Sequence, residues 1–288
     1  MSSDPRPTRI LTVDLEDWFH LLEYGGSSDP AQWENYPERI RRNTDLLLDT
    51  FAEAGVQATF FSLGWAARTY PDLLKKISDF GHEIGSHSDT HDLVHQSNPA
   101  AFRADLRRSI DAIEGAIGKK VTAYRAPGFS ITRSSLWAFE ILAECGITTD
   151  CSLFPSAHAH GGFGGLGQGP ARIETRSGVL KELPVSTREL ASRGIAFAGG
   201  GYFRLLPSFL VNHWSKRTPY LMTYFHPRDF DPEQPVLPGL SKRRRFRSYV
   251  GLAGARSKLV NLLSIGGFHS VSEAERRISW DNTPWLIL

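Results

Sequence analysis

Hydrophobic residues recur along the chain in short β-branched runs that alternate with longer stretches of helical spacing. The N-terminal run "RILTVDLED" is apolar until it turns acidic, which predicts a buried strand with a polar end. The stretch "PERIRRNTDLLLDTFAEAGV" follows, with apolar residues at helical spacing. Pro37 suits a first helical turn and Gly55 suits a helix stop. A strand followed by a helix is therefore the first predicted unit.

The same unit repeats along most of the chain. Further strands are predicted at "QATFFSLG", "HEIGSH", "VTAYRAPG", "ITTDCSLFP", "GVLKELPVST" and "PYLMTYFH". Helices are predicted at "YPDLLKKISDFG", from the Asn98 cap and Pro99 to Ile117, at "SSLWAFEILAECG", and within "AGGGYFRLLPSFLVNHWSKR". Strands that alternate with helices predict a parallel sheet, and this many units favours a closed or nearly closed α/β barrel.

Composition narrows the class of protein. Hydrophobic residues make up 41% of the chain and charged residues 22%, which is typical of a globular protein with a sizeable core. A net charge of +2 gives no argument for a nucleic-acid partner, and no apolar run is long enough to cross a bilayer. The N-terminal "MSSDPRPTR" lacks the apolar stretch of a secretory signal, so a cytoplasmic location is expected. Cys145 and Cys151 indicate neither a disulfide framework nor a zinc pair.

Polar residues gather where the predicted strands end, which is where parallel barrels place their catalytic groups. These residues are Asp14, Glu16 and Asp17 after the first strand, His87 and His91 after the third, Arg125, Asp150, and His226 after the last. One such residue would more often be a helix cap or a solvated group. Several that converge on one face of a barrel predict an active site.

His87 and His91 are spaced to present two imidazole nitrogens to one ion, as residues one turn apart on a short helix. A carboxylate from the first strand would complete three ligands and leave positions for water and substrate. Such a set suits zinc or another divalent metal that acts as a Lewis acid.

Five segments carry a resemblance to a known family. In order and spacing, "TVDLED", "SHSDTH", "YRAPGF", "DCSLF" and "YFH" resemble the motifs of the polysaccharide deacetylase family, also called the NodB-homology or carbohydrate esterase family four. The C-terminal "FRSYVGLAGARSKLVNLLS" is similar to the tail of a bacterial subgroup associated with exopolysaccharide loci. The resemblance implies a deformed (β/α)7-type barrel that removes an N-acyl group, usually acetyl, from an amino sugar of a bacterial polysaccharide or its precursor.

The resemblance also implies a role for each motif residue. Asp14 matches the catalytic base, and Arg125 matches the arginine that orients it. Asp150 matches the acid that pairs with the last-motif histidine, and His226 matches that histidine, the general acid to the leaving amine. His87 and His91 match the metal histidines, so the implied cofactor is Zn²⁺, with Co²⁺, Ni²⁺ or Fe²⁺ as alternatives.

Three positions depart from the family pattern. The first motif usually has two adjacent aspartates, but here Leu15 follows Asp14, and Glu16 and Asp17 both stay open as the metal carboxylate. Phe154 stands where tryptophan is usual, and Tyr224 stands where leucine is usual. A reshaped acyl pocket would suit formyl in place of acetyl. The alternatives to a deacetylase are therefore an N-deformylase of a lipid-linked or nucleotide amino sugar, and an inactive barrel that binds glycans.

The C-terminal part of the chain gives two further expectations. Residues 1–288 are predicted to form one domain, with 230–288 as a family-specific extension packed on it. The basic run "SKRRRFR", residues 241–247, reads first as solvated surface, but a lipid-linked glycan at the inner membrane face would give its charges a partner. No recognition motif accompanies the run, so nucleic acid is not expected. The sequence does not decide the sugar, the linkage or the oligomeric state.

Overall fold

The computed structural model describes residues 7–22, 29–158, 160–164, 167–190 and 193–286. Its strands are β1 (Thr8–Ile10), β2 (Thr12–Leu15), β3 (Thr59–Ser62), β4 (Glu83–Ser86), β5 (Ala123–Tyr124), β6 (Thr149–Asp150), β7 (Ala171–Thr175), β8 (Gly178–Glu182), β9 (Arg188–Leu190), β10 (Arg193–Ile195), β11 (Tyr220–Met222) and β12 (Phe268–His269). Its α-helices are α1 (Ile40–Ala54), α2 (Gly64–Thr69), α3 (Pro71–Asp79), α4 (Pro99–Ile117), α5 (Trp137–Glu144), α6 (Gly200–Leu205), α7 (Ser208–Arg217), α8 (Lys242–Tyr249), α9 (Leu252–Leu263) and α10 (Val271–Arg277).

The sheet is a nearly closed barrel of mostly parallel strands. Seven strands follow the order β2-β3-β4-β5-β6-β8-β7, and only the β7–β8 pair is antiparallel. A second parallel sheet, β11-β1-β12, continues it because β1 and β2 are one chain segment interrupted at Leu11. After β8, Ser186 Oγ accepts a hydrogen bond from the backbone N–H of Met222 in β11, which brings the two ends of the ring together. The predicted deformed (β/α) barrel is confirmed.

Two clusters of apolar side chains hold the barrel, one on each face of the sheet. Phe60 packs with the helices in the outer cluster, whereas its neighbour Phe61 belongs to a second cluster with Cys151 and Met222. This alternation is what successive residues of a strand produce. In β2 the same alternation buries Val13 against the helices, so its neighbour Asp14 faces the other way.

Helix limits follow local signals that the sequence already contains. The Asn98 side chain accepts hydrogen bonds from the N–H groups of Ala100 and Ala101, so α4 begins at Pro99. The helix ends at Ile117, as predicted. Gly55 ends α1 at φ 63°, a conformation that glycine adopts without strain. The single helix predicted within residues 198–217 is instead two, α6 and α7. They separate at Leu206 and Pro207, because proline has no N–H to continue a helix.

The segment after residue 230 contributes to the barrel itself. Its β12 pairs with β1, and α10 packs beside the same strand. Helices α8 and α9 lie outside, where α9 packs against α6 and α7. Within the described part of the chain, every helix is too short or too polar to cross a bilayer.

Candidate metal and catalytic site

A carboxylate and two imidazoles converge at the end of β2. Glu16 Oε1 lies 3.1 Å from His87 Nε2 and 2.9 Å from His91 Nε2. All three side chains are nearly inaccessible to solvent. Burial alone would raise the pKa of Glu16, but the positive charges of His91 and His226 outweigh it and hold that pKa well below its usual range. The site therefore favours an ionised carboxylate.

The protonation of His87 tests whether these residues suit a cation. Its Nδ1 lies 2.8 Å from the carbonyl oxygen of Arg125, and a carbonyl can only accept a hydrogen bond. Nδ1 therefore carries a proton, so Nε2 is the ring nitrogen that can offer a lone pair, and it faces Glu16 Oε1. Facing lone pairs repel unless a positive species lies between them, and a divalent ion would serve both histidines and the carboxylate together. The donor set fits a metal.

The loop after β4, rather than a helix, carries the two histidines. Residues 87–93 are irregular, and Ser88 and His91 have positive φ values of 68° and 63°. The Ser88 hydroxyl accepts a hydrogen bond from the His91 N–H and closes the turn. The predicted short helix is therefore wrong: a left-handed backbone at two positions, instead of the 3.6-residue period, turns both rings to one side.

Asp17 lies apart from this cluster. Its Oδ2 accepts hydrogen bonds from the N–H groups of Arg39 and Ile40, and its Oδ1 accepts one from Trp18. Burial is the main cause that raises its pKa to about 6. Because Oδ2 accepts from two backbone N–H groups at the start of α1, Asp17 acts as a helix cap here. Of the two carboxylates left open by the sequence, Glu16 is the one beside the histidines.

Asp14 is held by a fully buried arginine. Arg125 Nη1 donates to Asp14 Oδ1 at 2.7 Å and to the Thr12 hydroxyl at 2.7 Å. The guanidinium lies over the ring of Phe61, with its Cζ 4.3 Å from the ring centroid. Asp14, Glu16 and His226 have ligand atoms within 4.8 Å of one another. Arg125 fixes the Asp14 carboxylate beside the metal cluster.

His226 has a carboxylate partner three residues further along the chain. Its Nδ1 lies 3.0 Å from Asp229 Oδ2, and the same oxygen accepts the His226 backbone N–H at 2.9 Å. Burial lowers the pKa of His226, but Asp229, Glu16 and Asp14 outweigh that effect and raise it to about 9. Burial likewise opposes ionisation of Asp229, yet Arg204 and His226 lower its pKa far below the usual range. The pair is therefore an imidazolium beside a carboxylate.

The predicted pairing of Asp150 with His226 is wrong. Asp150 lies on β6 directly opposite Glu182 of β8, and its Oδ1 accepts a hydrogen bond from the Ser152 hydroxyl. Both carboxyl groups are fully buried, and Glu182 has a strongly raised pKa because of burial and the charge of Asp150. Two buried carboxyl groups this close share a proton. Asp150 is thus paired with Glu182 within the sheet, while Asp229 takes the position at His226.

Sequence reasoning missed Asp229 and Arg204, although one signal pointed to the first. "HPRD" has proline after His226 and an acid three residues on, which is the spacing of a capping box. The structure forms that box around a short 3₁₀ helix, Pro227–Phe230. Arg204 forms an ion pair with Asp229 at 3.0 Å from a helix far away in sequence, and no local pattern could indicate it.

Aromatic rings border the site on the side of His226. Phe129 packs edge-on against Phe154 at 5.7 Å and against Tyr224 at 5.1 Å between ring centroids. A side chain at Gly199 would collide with the Tyr224 ring, so this glycine lets the ring lie flat on the backbone. Two of the three departures from the family pattern, Phe154 and Tyr224, are therefore in one cluster beside the general-acid candidate.

Two family profiles match adjacent parts of the chain. Residues 32–149 match the profile described as polysaccharide deacetylase, and residues 151–275 match a domain of unknown function (DUF3473). The first contains both histidines of the metal cluster, and the second contains His226 and Asp229. Glu16 and Asp14 precede both matched segments.

Curated relatives share part of the chain. A peptidoglycan deacetylase from Helicobacter pylori is 33% identical over 46% of this chain and 44% of its own length. A chitooligosaccharide deacetylase from Rhizobium leguminosarum bv. trifolii is 28% identical over 35% of this chain and 44% of its own. The match thus spans less than half the length of either relative.

Solved structures share the fold over nearly the whole chain. A Mycobacterium smegmatis protein assigned to the polysaccharide deacetylases has a TM-score of 0.68 at 21% identity, over 100% of this chain and 96% of its own. A carbohydrate esterase family 4 pseudoenzyme from Bacillus anthracis has a TM-score of 0.50 at 13% identity, over 95% of this chain and 69% of its own. These likenesses show the fold, and because a pseudoenzyme shares it, the fold by itself does not establish an activity.

Proposed function

We propose that the chain, whose residues 32–149 match the polysaccharide deacetylase profile, is a metal-dependent hydrolase that removes an N-acyl group, foremost N-acetyl, from an amino sugar. The substrate class is a bacterial polysaccharide or its precursor, since the named relatives include a peptidoglycan deacetylase and a chitooligosaccharide deacetylase. Exopolysaccharide is the polysaccharide we favour, on the resemblance of the C-terminal segment. The reaction converts an amide and water into a carboxylic acid and an amine.

The observation that carries this proposal is one constellation of side chains. Glu16, His87 and His91 turn one ligand atom each to a common point, and Asp14 and His226 stand beside them. A proton acceptor and a proton donor that flank a metal cluster are what amide hydrolysis needs. An inactive barrel would have no need to keep all five.

The metal ligands are Glu16, His87 and His91, and zinc is the proposed ion because two imidazoles and a carboxylate suit it. When bound, such an ion supplies Lewis-acid polarisation of a carbonyl and lowers the pKa of a water molecule. Asp14 accepts the proton of the attacking water, and Arg125 holds its carboxylate at 2.7 Å in the orientation that this transfer requires.

His226 donates a proton to the leaving amine. The carbon–nitrogen bond breaks readily only if the nitrogen leaves as a neutral amine, so the acid must be protonated at that moment. Asp229 maintains the imidazolium through Nδ1, which leaves Nε2 on the side of Asp14, 3.9 Å from its Oδ2. Arg204 keeps Asp229 ionised. A cation at Glu16 would offset the charge of that residue, and Asp229 would then be the principal support of the imidazolium.

We treat residues 1–288 as one functional unit, in which the segment after 230 adds the strand β12 to the barrel and packs α8 and α9 outside it. The residues of the site come from all parts of this unit. Asp14 and Glu16 precede both matched segments, His87 and His91 lie in the first segment, and His226 lies in the second. A cytoplasmic location stays a prediction, supported by the two free thiols, Cys145 and Cys151. A glycan carried on a lipid is a proposed form of the substrate.

The test is acid release from a panel of N-acylated amino sugars and oligosaccharides by zinc-loaded protein. We expect acetate as the main product, and we expect Asp14→Asn to abolish its release. A Glu38→Gln variant is the matched control, because that exposed acid lies outside the site. Release of formate in place of acetate would assign the N-deformylase alternative, for which the Phe129, Phe154 and Tyr224 cluster is the supporting observation. Glycan binding with no acid released from any substrate would contradict hydrolysis and leave the glycan-binding barrel.

A further inference from the structure

Positive charge is concentrated in two segments of the chain. Residues 190–228 and 234–272 hold twelve of the 33 lysines and arginines and none of the 31 aspartates and glutamates. The rest of the chain is therefore acidic, although the whole carries only +2. These two segments contain α6 and α7, and α8 and α9. The four helices form a layer that we call the basic face.

Helix α8 presents most of the exposed charge of the basic face. Lys242, Arg243, Arg245 and Arg247 are exposed, and none forms an ion pair with any described residue. Four cations within six residues repel one another. This repulsion destabilises helix α8 unless an anionic partner offsets the charge. No acidic side chain of the same layer can do so, because the layer contains none.

Large apolar side chains are exposed on the same layer. Phe209 is 74% exposed, Phe246 57%, Leu205 48% and Tyr202 40%. Phe246 lies within the basic run itself, between Arg245 and Arg247. Aromatic and aliphatic side chains mixed with arginines are typical of surfaces that lie in the headgroup region of a membrane. A soluble polyanion would neutralise the charges but would leave these side chains in water.

The basic face borders the active site. Arg204 of α6 donates to the carbonyl oxygens of Arg247, Ser248 and Val250 at the end of α8, and its ion pair with Asp229 leads directly to His226. At the other side, Arg244 donates to the carbonyl oxygen of Leu22, which follows the metal-binding segment. The basic face and the residues of the site are thus linked by direct contacts.

We propose that the basic face docks on an anionic lipid surface. The exposed cations contact lipid headgroups, and Phe246 and its apolar neighbours enter the interfacial region. Docking would hold the active site next to the membrane, where a glycan attached to a lipid or assembled at the surface is within reach. Binding to lipid does not depend on the proposed hydrolysis, so either idea can fail without the other.

The test is co-sedimentation of the metal-loaded full chain with vesicles of phosphatidylcholine alone, or of equal parts phosphatidylcholine and phosphatidylglycerol. We expect binding only to the second kind, weakened by salt. Each cation near such a surface is worth roughly fivefold in partitioning, so Arg243→Glu, Arg245→Glu and Arg247→Glu combined should weaken binding at least tenfold. Phe246→Ser should weaken binding even at high salt, where the charges contribute less.

The matched control reverses three exposed charges elsewhere, Lys75→Glu, Arg107→Glu and Arg176→Glu. It should keep most of the binding, and both triple variants should keep the wild-type circular dichroism spectrum. Equal binding by the two triple variants would overturn the assignment of the face. Failure of the wild type to bind the anionic vesicles would overturn the proposal. Tight binding to double-stranded DNA without binding to vesicles would also overturn it, and would assign the charges to nucleic acid.

Discussion

Replacing Asp229 by asparagine tests the assignment of the general acid. The substitution keeps the size of the side chain and its contact with His226, but it removes the negative charge 3.0 Å from Nδ1. A general acid works only while it is protonated, so activity is lost as the pH rises through its pKa. Without the carboxylate the imidazolium is less favoured, and the pKa must fall. The alkaline limb of the rate profile should therefore move to lower pH.

The size of the shift follows from the contact. An opposite charge at this distance typically shifts a pKa by about one to three units, and Asp229 is the strongest of the groups that raise His226 to about 9. We expect a fall of roughly two units, equivalent to about 3 kcal/mol of lost stabilisation of the imidazolium. At pH 8 the protonated fraction, and with it the rate, should drop about tenfold.

Two measurements read this shift. The first is the pH dependence of acid release, and the second is the titration of His226 followed by its ¹⁵N chemical shifts, which needs no substrate. Asp150→Asn is the matched control, because Asp150 is buried opposite Glu182 and has no contact with His226 among the described residues. An unmoved alkaline limb and ¹⁵N titration in Asp229→Asn would refute the assignment. An equal shift in Asp150→Asn would restore the pairing that the sequence suggested.

Two further predictions concern Asp14 and Glu182. Asp14→Asn should lower turnover by roughly a hundredfold or more, the usual scale for a lost base. Elemental analysis should still find the metal, because Asp14 is held by Arg125 outside the ligand set. Loss of the metal would instead exchange the role of Asp14 with that of Glu16. Glu182→Gln should raise the melting temperature at pH 8 but not at pH 4. The pKa of Glu182 is raised in the folded state, so the wild type loses up to about 1.4 kcal/mol of unfolding free energy per pH unit above the ordinary carboxyl range. Equal melting curves of the variant and the wild type at pH 8 would argue against the shared proton.

Local signals in the sequence predicted much of the fold. Asn98 and Gly55 fixed helix limits through hydrogen bonds and backbone freedom that involve only their neighbours. The ends of the predicted strands indicated where Asp14, Glu16 and His226 would meet. These features depend on the chain's own period and on the general geometry of parallel strands, so they can be inferred without coordinates.

The partners of the site residues could not be inferred in the same way. Asp17 and Glu16 are adjacent acids, and only the arrival of α1 above the first strand decides that Asp17 caps a helix. Asp229 reaches His226 through a local turn. The family resemblance implies Asp150 instead as the carboxylate partner of His226. Arg204 and Glu182 come from elements distant in sequence, and long-range packing alone brings them in.

We propose that Glu16, His87 and His91 together bind one divalent metal ion. Elemental analysis of the wild type, Glu16→Gln and Asp17→Asn, each purified without added metal and then titrated with zinc, measures this directly. We expect one ion per chain in the wild type and in Asp17→Asn, and a loss of affinity of a hundredfold or more in Glu16→Gln. Asp17→Asn should instead melt at a lower temperature, with an unfolding free energy lower by about 1 kcal/mol, because it loses a helix cap. Full metal binding by Glu16→Gln, or loss of the metal in Asp17→Asn, would contradict the site as the structure presents it.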